Sequence, residues 1–115
     1  QEPVDTPKAE KPRSGLQRLA YIAAELNAGS RQINYNYRLD KVRIDPNKFE
    51  LVYEFTATKP ISELNTAVIK VANQTTYCSS RKLKPFRDEN MPARWTYVDD
   101  FGGEFETVSS PSSCG

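Results

Sequence analysis

The 115-residue sequence contains no histidine and only two cysteines. The absence of histidine removes the commonest general base, the usual catalytic triads and most zinc sites. Two cysteines cannot build a four-thiolate metal site, and no glycine-rich phosphate-binding loop is present. We therefore expect a protein that is not an enzyme and that has no cofactor and no metal.

The chain also has little net charge and a modest apolar content. Sixteen Lys and Arg against fifteen Asp and Glu give a net charge of +1, and 37% of the residues are hydrophobic. Because a nearly neutral chain lacks a long-range field for polyanions, nucleic acid is not an expected partner. The apolar content suffices for one small core, so the sequence predicts a single folded domain.

Long apolar runs are absent as well, which excludes a transmembrane segment and the hydrophobic region of a signal peptide. Residues 1–14 alternate prolines with charged residues and hold too little apolar surface to fold. We expect a disordered tail over residues 1–14 and one domain over residues 15–115. We also expect a mature chain from which a signal peptide has been removed.

The first half of the domain predicts a helix and then a hairpin. Apolar residues at helical spacing indicate a helix over residues 15–28, capped by Ser14 and stopped by Gly29. An alternating strand follows, and its phase changes near Asp40 and Lys41, which indicates a bulge. A turn at residues 45–47 then leads into a second strand. The core-facing positions are predicted to be Leu16, Leu19, Ala20, Ala23 and Leu26 in the helix, Ile33, Tyr35, Tyr37, Leu39, Val42 and Ile44 in the first strand, and Phe49, Leu51, Tyr53, Phe55 and Ala57 in the second.

The second half repeats this plan. Ser62 opens a predicted helix that runs to about Thr76, and residues 83–86 have room for one short helical turn. A final hairpin turns at residues 99–103, where Asp99 and Asp100 are typical of side chains that bond to the backbone. The predicted core positions are Ile61, Leu64, Ala67, Val68, Val71 and Ala72 in the helix and Ala93, Trp95, Tyr97, Phe105 and Thr107 in the hairpin. The order α-β-β-α-β-β predicts an α+β fold, a four-stranded antiparallel sheet packed against two helices.

The two cysteines indicate a disulfide bond. Cys78 ends the second predicted helix, and Cys114 lies 36 positions later in a polar tail that nothing else would order. In the loop-entropy model such a bridge stabilises the fold by about 4 kcal/mol. Redox catalysis would require two thiols close together in the sequence. The sequence therefore predicts a Cys78–Cys114 disulfide and an oxidising compartment.

The segment that follows Cys78 is rich in basic residues. Two interpretations stay open: a solvated connection that pairs with the acidic final hairpin, and a docking site for an acidic partner, a phosphate or a polyanion. We refer to residues 81–94 as the basic segment. Its candidate binding residues are Arg81, Lys82, Lys84, Arg87 and Arg94.

A set of aromatic residues also has two interpretations. Tyr35, Tyr37, Trp95 and Tyr97 beside Arg38 and Arg94 match the composition of a stacking platform for single-stranded nucleic acid. Their alternation is that of core-facing positions, and a small domain needs its large side chains inside. Core packing is the favoured interpretation.

Several short stretches resemble small exported bacterial domains of unassigned role. In those domains a helix ending in Leu-Asn precedes a strand and an aromatic-rich Tyr-x-Phe-Thr strand, and the chain closes with a Cys, Tyr, Asp-Gly, Cys pattern. The matching stretches here are Leu19-Ala20 to Leu26-Asn27, residues 37–42, residues 48–53, and the closing Cys78, Leu83, Trp95-Thr96-Tyr97, Asp99, Gly102-Gly103 and Cys114. The closing turn departs from the pattern by carrying Asp100, Phe101 and an extra glycine. The resemblance implies an envelope protein with one disulfide, and it implies no activity.

Two functional hypotheses follow. The first is a periplasmic or secreted module, monomer or weak dimer, that acts by protein–protein contact as an envelope-system accessory, an immunity protein or an inhibitor. The alternative is a module that binds a small ligand or a polyanion through the basic segment.

Overall fold

The structure is a computed structural model that describes residues 10–28 and 35–114, with side chains from Gly15 onward. The described residues form three α-helices and four strands, in the order α-β-β-α-α-β-β. They are α1 (Glu10–Ala28), β1 (Tyr37–Asp45), β2 (Glu50–Ala57), α2 (Thr66–Ser79), α3 (Lys84–Asp88), β3 (Ala93–Val98) and β4 (Glu104–Ser109), with 3-10 turns at Ile61–Glu63 and Pro111–Cys114. The predicted α+β class is confirmed.

The four strands form one sheet in the order β1-β2-β3-β4. The outer pairs β1–β2 and β3–β4 are antiparallel, but the central pair β2–β3 is parallel. The prediction of a wholly antiparallel sheet is therefore wrong at its centre. The physical reason is the connection through α2 and α3, which returns the chain to the end of the sheet where β2 begins.

The first hairpin has the predicted bulge and turn. The register of β1 against β2 shifts between Leu39 and Lys41, which confirms the predicted break. The Asp45 carboxylate accepts hydrogen bonds from the backbone N–H groups of Asn47 and Lys48. Phe49 belongs to this turn, with φ 55° and a 39% exposed side chain, so its predicted place in the strand core is wrong. Ile33 lies outside the described residues, and Tyr35 precedes the strand and is exposed.

Both long helices cover the same face of the sheet, α1 over β1 and α2 over β4. Between them lies a layer of stacked aromatic rings, in which Tyr53 contacts Trp95 at 4.1 Å between ring centroids and Phe55 contacts Tyr97 at 4.5 Å. The core-facing residues predicted for β2 from Leu51 to Ala57 are buried. This layer forms the centre of the core.

The helix α1 begins at Glu10, five residues earlier than predicted, and ends at Ala28 as predicted. Residues 10–14 are therefore helical rather than part of a tail, whereas residues 1–9 and the predicted stop at Gly29 lie outside the described residues. Leu19 and Ala23 are buried, but Ala20 is exposed, which corrects the predicted stripe. Near its end, the Asn27 side-chain oxygen accepts a 2.8 Å hydrogen bond from the Val42 N–H beside the bulge.

The helix α2 begins later than predicted and presents a different face to the core. Ile61–Glu63 form a separate 3-10 turn, and Asn65 caps α2 by accepting a hydrogen bond from the Val68 N–H. The buried residues of α2 are Ile69, Asn73 and Tyr77. The predicted core positions Ala67, Val68, Val71 and Ala72 are exposed, so the predicted rotation of this helix is wrong.

Polar contacts and the disulfide explain this rotation. The Asn73 amide donates to the hydroxyls of Tyr97 at 2.9 Å and Thr107 at 3.2 Å, so its burial is compensated. The Tyr77 hydroxyl donates to the Met91 carbonyl at 2.7 Å, and burial raises the pKa of Tyr77 to about 12. Cys78 adjoins this face and is bonded to Cys114. These contacts turn the apolar side of α2 outward.

The predicted disulfide is present, with 5.4 Å between the Cα atoms of Cys78 and Cys114. It holds the C-terminal 3-10 turn against α2, where Gln74 also donates a hydrogen bond to the Ser113 carbonyl. The short helical turn predicted at residues 83–86 is present as α3.

Candidate functional site

The outward face of α2 carries four adjacent apolar residues that no other part of the described chain covers. Val68 is 58% exposed and Val71 is 66% exposed. Ala67 and Ala72 complete a surface lined by no polar side chain. We call these four residues the α2 stripe. Scattered exposed apolar residues are ordinary, but a contiguous apolar helix face on a domain with 27% charged residues is a candidate contact surface.

A second candidate surface is a groove of about 270 Å³ between α1 and the start of α3. Ile22, Leu26 and Pro85 form its apolar part. Its charged residues are Glu25 on the α1 side and Arg81 and Lys82 on the other. We call it the α1–α3 groove.

The basic segment does not act as one unit, because two of its members have partners nearby. Arg87 donates to the carbonyls of Tyr77 at 2.6 Å and Ser80 at 2.8 Å, and so caps the end of α2. Lys84 forms an ion pair with Asp88 one turn later in α3, at 2.8 Å. Both side chains serve local structure.

Arg94 lies in β3 on the face of the sheet opposite the helices. Its guanidinium binds both carboxylate oxygens of Glu50, at 2.8 and 2.9 Å, and also pairs with Glu106. The hydrogen bonds to Glu50, followed by those to Glu106, raise the pKa of Arg94. Glu50 is only 8% exposed, so this pair compensates a buried charge. Among the five predicted binding residues, the groove brings together Arg81 and Lys82 alone.

The aromatic residues do not form the alternative stacking platform. Trp95 and Tyr97 are buried beneath the helices, and the ring of Tyr37 meets those of Phe55 and Tyr97 edge to face. Arg94 lies on the other side of the sheet. The favoured interpretation, core packing, is confirmed for Trp95 and Tyr97 and for the partly buried Tyr37, but it is wrong for Tyr35, which is exposed.

Asp99 joins the final turn to the 3-10 turn before α2. Its carboxylate accepts hydrogen bonds from the N–H groups of Ile61 at 2.6 Å, and of Phe101 and Gly103 at 2.7 Å. The bond from Ile61 contributes most to a pKa of Asp99 below its ordinary value. This agrees with the predicted backbone-bonding role.

Within residues 10–28 and 35–114, no group of three or more His, Cys, Asp or Glu side chains is placed to hold a metal ion. No helix in those ranges has the length and hydropathy to cross a membrane.

Two solved structures share this fold. The pilotin EpsS of the Vibrio vulnificus type 2 secretion system superimposes with a TM-score of 0.69 at 17% sequence identity, covering 94% of this chain and 98% of that one. A candidate secreted protein of Pseudomonas aeruginosa superimposes with a TM-score of 0.75 at 13% identity, covering 90% and 95%. At these identities the likeness shows the fold alone. No family model and no curated protein matches the sequence.

Sequence reasoning missed the α2 stripe because it assigned the apolar face of α2 to the core. A usable signal was present: Ile69, Asn73 and Tyr77 are spaced by four residues and lie on one side of a helix beside Cys78. The α1 side of the groove, with Ile22 and Glu25, had no sequence signal, because it depends on how α1 packs beside α3.

Proposed function

We propose that this chain is a small envelope or secreted accessory protein that acts by binding another protein, with the α2 stripe as its main contact surface. The observation that carries the proposal is the orientation of α2. Its polar residue Asn73 is buried and hydrogen-bonded, whereas Val68 and Val71 are exposed. An apolar face left open in this way stabilises a complex when a partner covers it.

The fold and the disulfide support this proposal. One structural neighbour is a pilotin of a secretion system and the other is a candidate secreted protein, and both are matched over nearly their whole length. A disulfide that closes a long loop is typical of oxidising compartments, which favours the periplasm or the exterior. The resemblance to small exported bacterial domains agrees with both points.

The chemistry of the α2 stripe favours an apolar helix as the part of the partner that binds. Alanine and valine are small, so the axis of a second helix can approach α2 closely. The stripe residues lie at positions i, i+1, i+4 and i+5, the spacing of a narrow seam along a helix. The partner segment would therefore present apolar side chains at helical spacing.

The alternative, a binder of polyanions, receives less support from the contacts. It relies on five basic residues, of which Lys84, Arg87 and Arg94 already bind groups of this chain. The two that are left form too small a positive cluster for strong salt-dependent binding.

The test compares two identical pairs of substitutions on two helices. Ala67→Glu with Ala72→Glu places two carboxylates in the α2 stripe, and Ala20→Glu with Ala24→Glu places them on the exposed face of α1. We expect the first pair to abolish stoichiometric co-purification of an envelope protein and the second pair to retain it. Equal recovery with both pairs, or the bare monomer from the unsubstituted protein, would contradict the proposal.

A further inference from the structure

The α1–α3 groove combines an apolar floor with basic side chains that form no ion pair with the side chains described from Gly15 onward. Ile22, Leu26 and Pro85 offer apolar surface in a concavity of about 270 Å³. Arg81 and Lys82 are exposed at its edge, and neither forms an ion pair with any residue in the described ranges. A concave apolar site with a few charged groups at its edge is the usual form of a small recognition site.

We propose that this groove binds a short segment of a partner protein in which an apolar side chain adjoins an acidic one. The apolar side chain would pack on Ile22, Leu26 and Pro85, and the carboxylate would lie against Arg81 and Lys82. This inference deepens the proposed function, since it names the chemistry of a second contact. It does not depend on the α2 stripe.

The charge pattern of the groove favours such a segment over a free anion. Glu25 lies on the opposite side from Arg81 and Lys82, so a phosphate-rich polyanion that filled the groove would meet a negative charge. A peptide can place its carboxylate on one side and an apolar or basic group on the other. An apolar side chain of a peptide would also cover the apolar floor of the groove, whereas a bare phosphate would leave that floor exposed to water.

The backbone on both sides of Arg81 and Lys82 is anchored by contacts within this chain. Arg87 binds the carbonyls of Tyr77 and Ser80, directly before Arg81, and so anchors the connection from α2 to α3. Pro85 lies in the first turn of α3, where its ring fixes its own φ angle and limits the backbone conformation of Lys84. An anchored backbone of this kind loses less entropy when the groove is occupied.

The probe is a displayed library of random twelve-residue peptides, selected against the whole oxidised protein. We expect the selected peptides to share an apolar residue next to Asp or Glu. Hydrogen exchange should show that they protect residues 22–26 and 81–85. Arg81→Glu with Lys82→Glu should weaken their binding at least tenfold, and Arg81→Gln with Lys82→Gln should weaken it less and flatten its dependence on salt.

The matched control is Lys41→Glu with Lys48→Glu, which makes the same change of net charge on the exposed first hairpin. It should leave binding within about twofold of the unsubstituted protein, because these residues lie outside the groove. A general attraction of acidic peptides to the charge of the protein would instead weaken binding equally in both pairs. Only variants that keep the melting temperature of the unsubstituted protein are compared, so that unfolding is not mistaken for lost binding.

Three outcomes would overturn the inference: peptides without the acidic residue, equal losses in the groove and control pairs, or a selection that yields no binder. Because the probe is a peptide, none of these outcomes depends on the native partner. The pair Ala67→Glu with Ala72→Glu should leave the selected peptides bound, which separates a failure of the groove from a failure of the α2 stripe.

Discussion

At the scale of single residues, Asp99 connects parts of the chain that are far apart in sequence. Its carboxylate binds the N–H of Ile61, 38 positions earlier, together with two N–H groups of its own turn. Gly103 is needed beside it, because a Cβ atom there would lie 2.5 Å from a carboxylate oxygen of Asp99. One side chain thus sets both the closing turn of the last hairpin and the approach to α2.

Asp99 predicts a pH dependence of stability. Its pKa is lower in the folded protein than the ordinary value of 3.8, so the ionised carboxylate stabilises the fold above that value. This stabilisation is lost as the pH falls through the lowered folded pKa. In thermal melts, Asp99→Asn should melt below the unsubstituted protein at about pH 7, and the difference should shrink toward about pH 2.

The matched control for Asp99 is Asp100→Asn, an exposed neighbour in the same turn. It should melt close to the unsubstituted protein at every pH. A difference between Asp99→Asn and the unsubstituted protein that stayed constant across the range would show that the charge of Asp99 is not the stabilising feature.

Single-residue features with a local cause were predictable from the sequence. The change of phase near Asp40 indicated the bulge, and Asp45 indicated the turn, because strand alternation and turn bonding act over a few neighbours. The exposure of Phe49 was not predictable from alternation. Its positive φ belongs to a turn longer than the one expected from Pro46 and Asn47.

At the scale of elements, α2 is the part of the fold that the sequence pattern misassigned. Counting apolar residues placed Val68 and Val71 inside, whereas the structure buries Asn73 through two hydrogen bonds. The partners of Asn73 lie in β3 and β4, far away in sequence, so only the spacing of Ile69, Asn73 and Tyr77 could indicate the buried face of α2. The candidate site was missed for the same reason, since the α2 stripe is the other side of this helix.

The rotation of α2 is testable by comparing truncations on its two faces. Ile69→Ala should lower the free energy of unfolding by about 2–4 kcal/mol, because it empties a buried position. Val68→Ala and Val71→Ala should each change it by less than about 0.5 kcal/mol, since both side chains are exposed. Denaturant titration measures all three, and a cost for Val71→Ala equal to that of Ile69→Ala would mean that the valine face is buried.

At the scale of the whole molecule, the order of the elements was predictable but the pairing of the two halves was not. Each hairpin is local, so its alternation and turn residues define it. The parallel pairing of β2 with β3 depends on where the chain from Thr58 to Pro92 crosses the sheet. No periodicity within one strand carries that information, because both orientations bury the same residues.

The disulfide ties the last hairpin to the rest of the molecule. It closes a loop of 36 positions that includes α3, β3 and β4. Replacing both Cys78 and Cys114 by serine should lower the free energy of unfolding by about 4 kcal/mol, the loop-entropy value. Hydrogen exchange should then show that β4 loses protection before the β1–β2 hairpin does.

A double-serine variant as stable as the oxidised protein, with unchanged exchange in β4, would contradict this role of the disulfide. Reduction of the unsubstituted protein gives an independent comparison, because it removes the bond without changing the sequence.

The most direct test of the central claim is photo-crosslinking in the native envelope from a reactive residue placed at Val71, in the middle of the α2 stripe. We expect one dominant crosslinked protein from position 71, and none from the same residue placed at Ala24 on the exposed face of α1. Position 71 without a crosslink, or the same products from both positions, would show that the α2 stripe is not the contact surface.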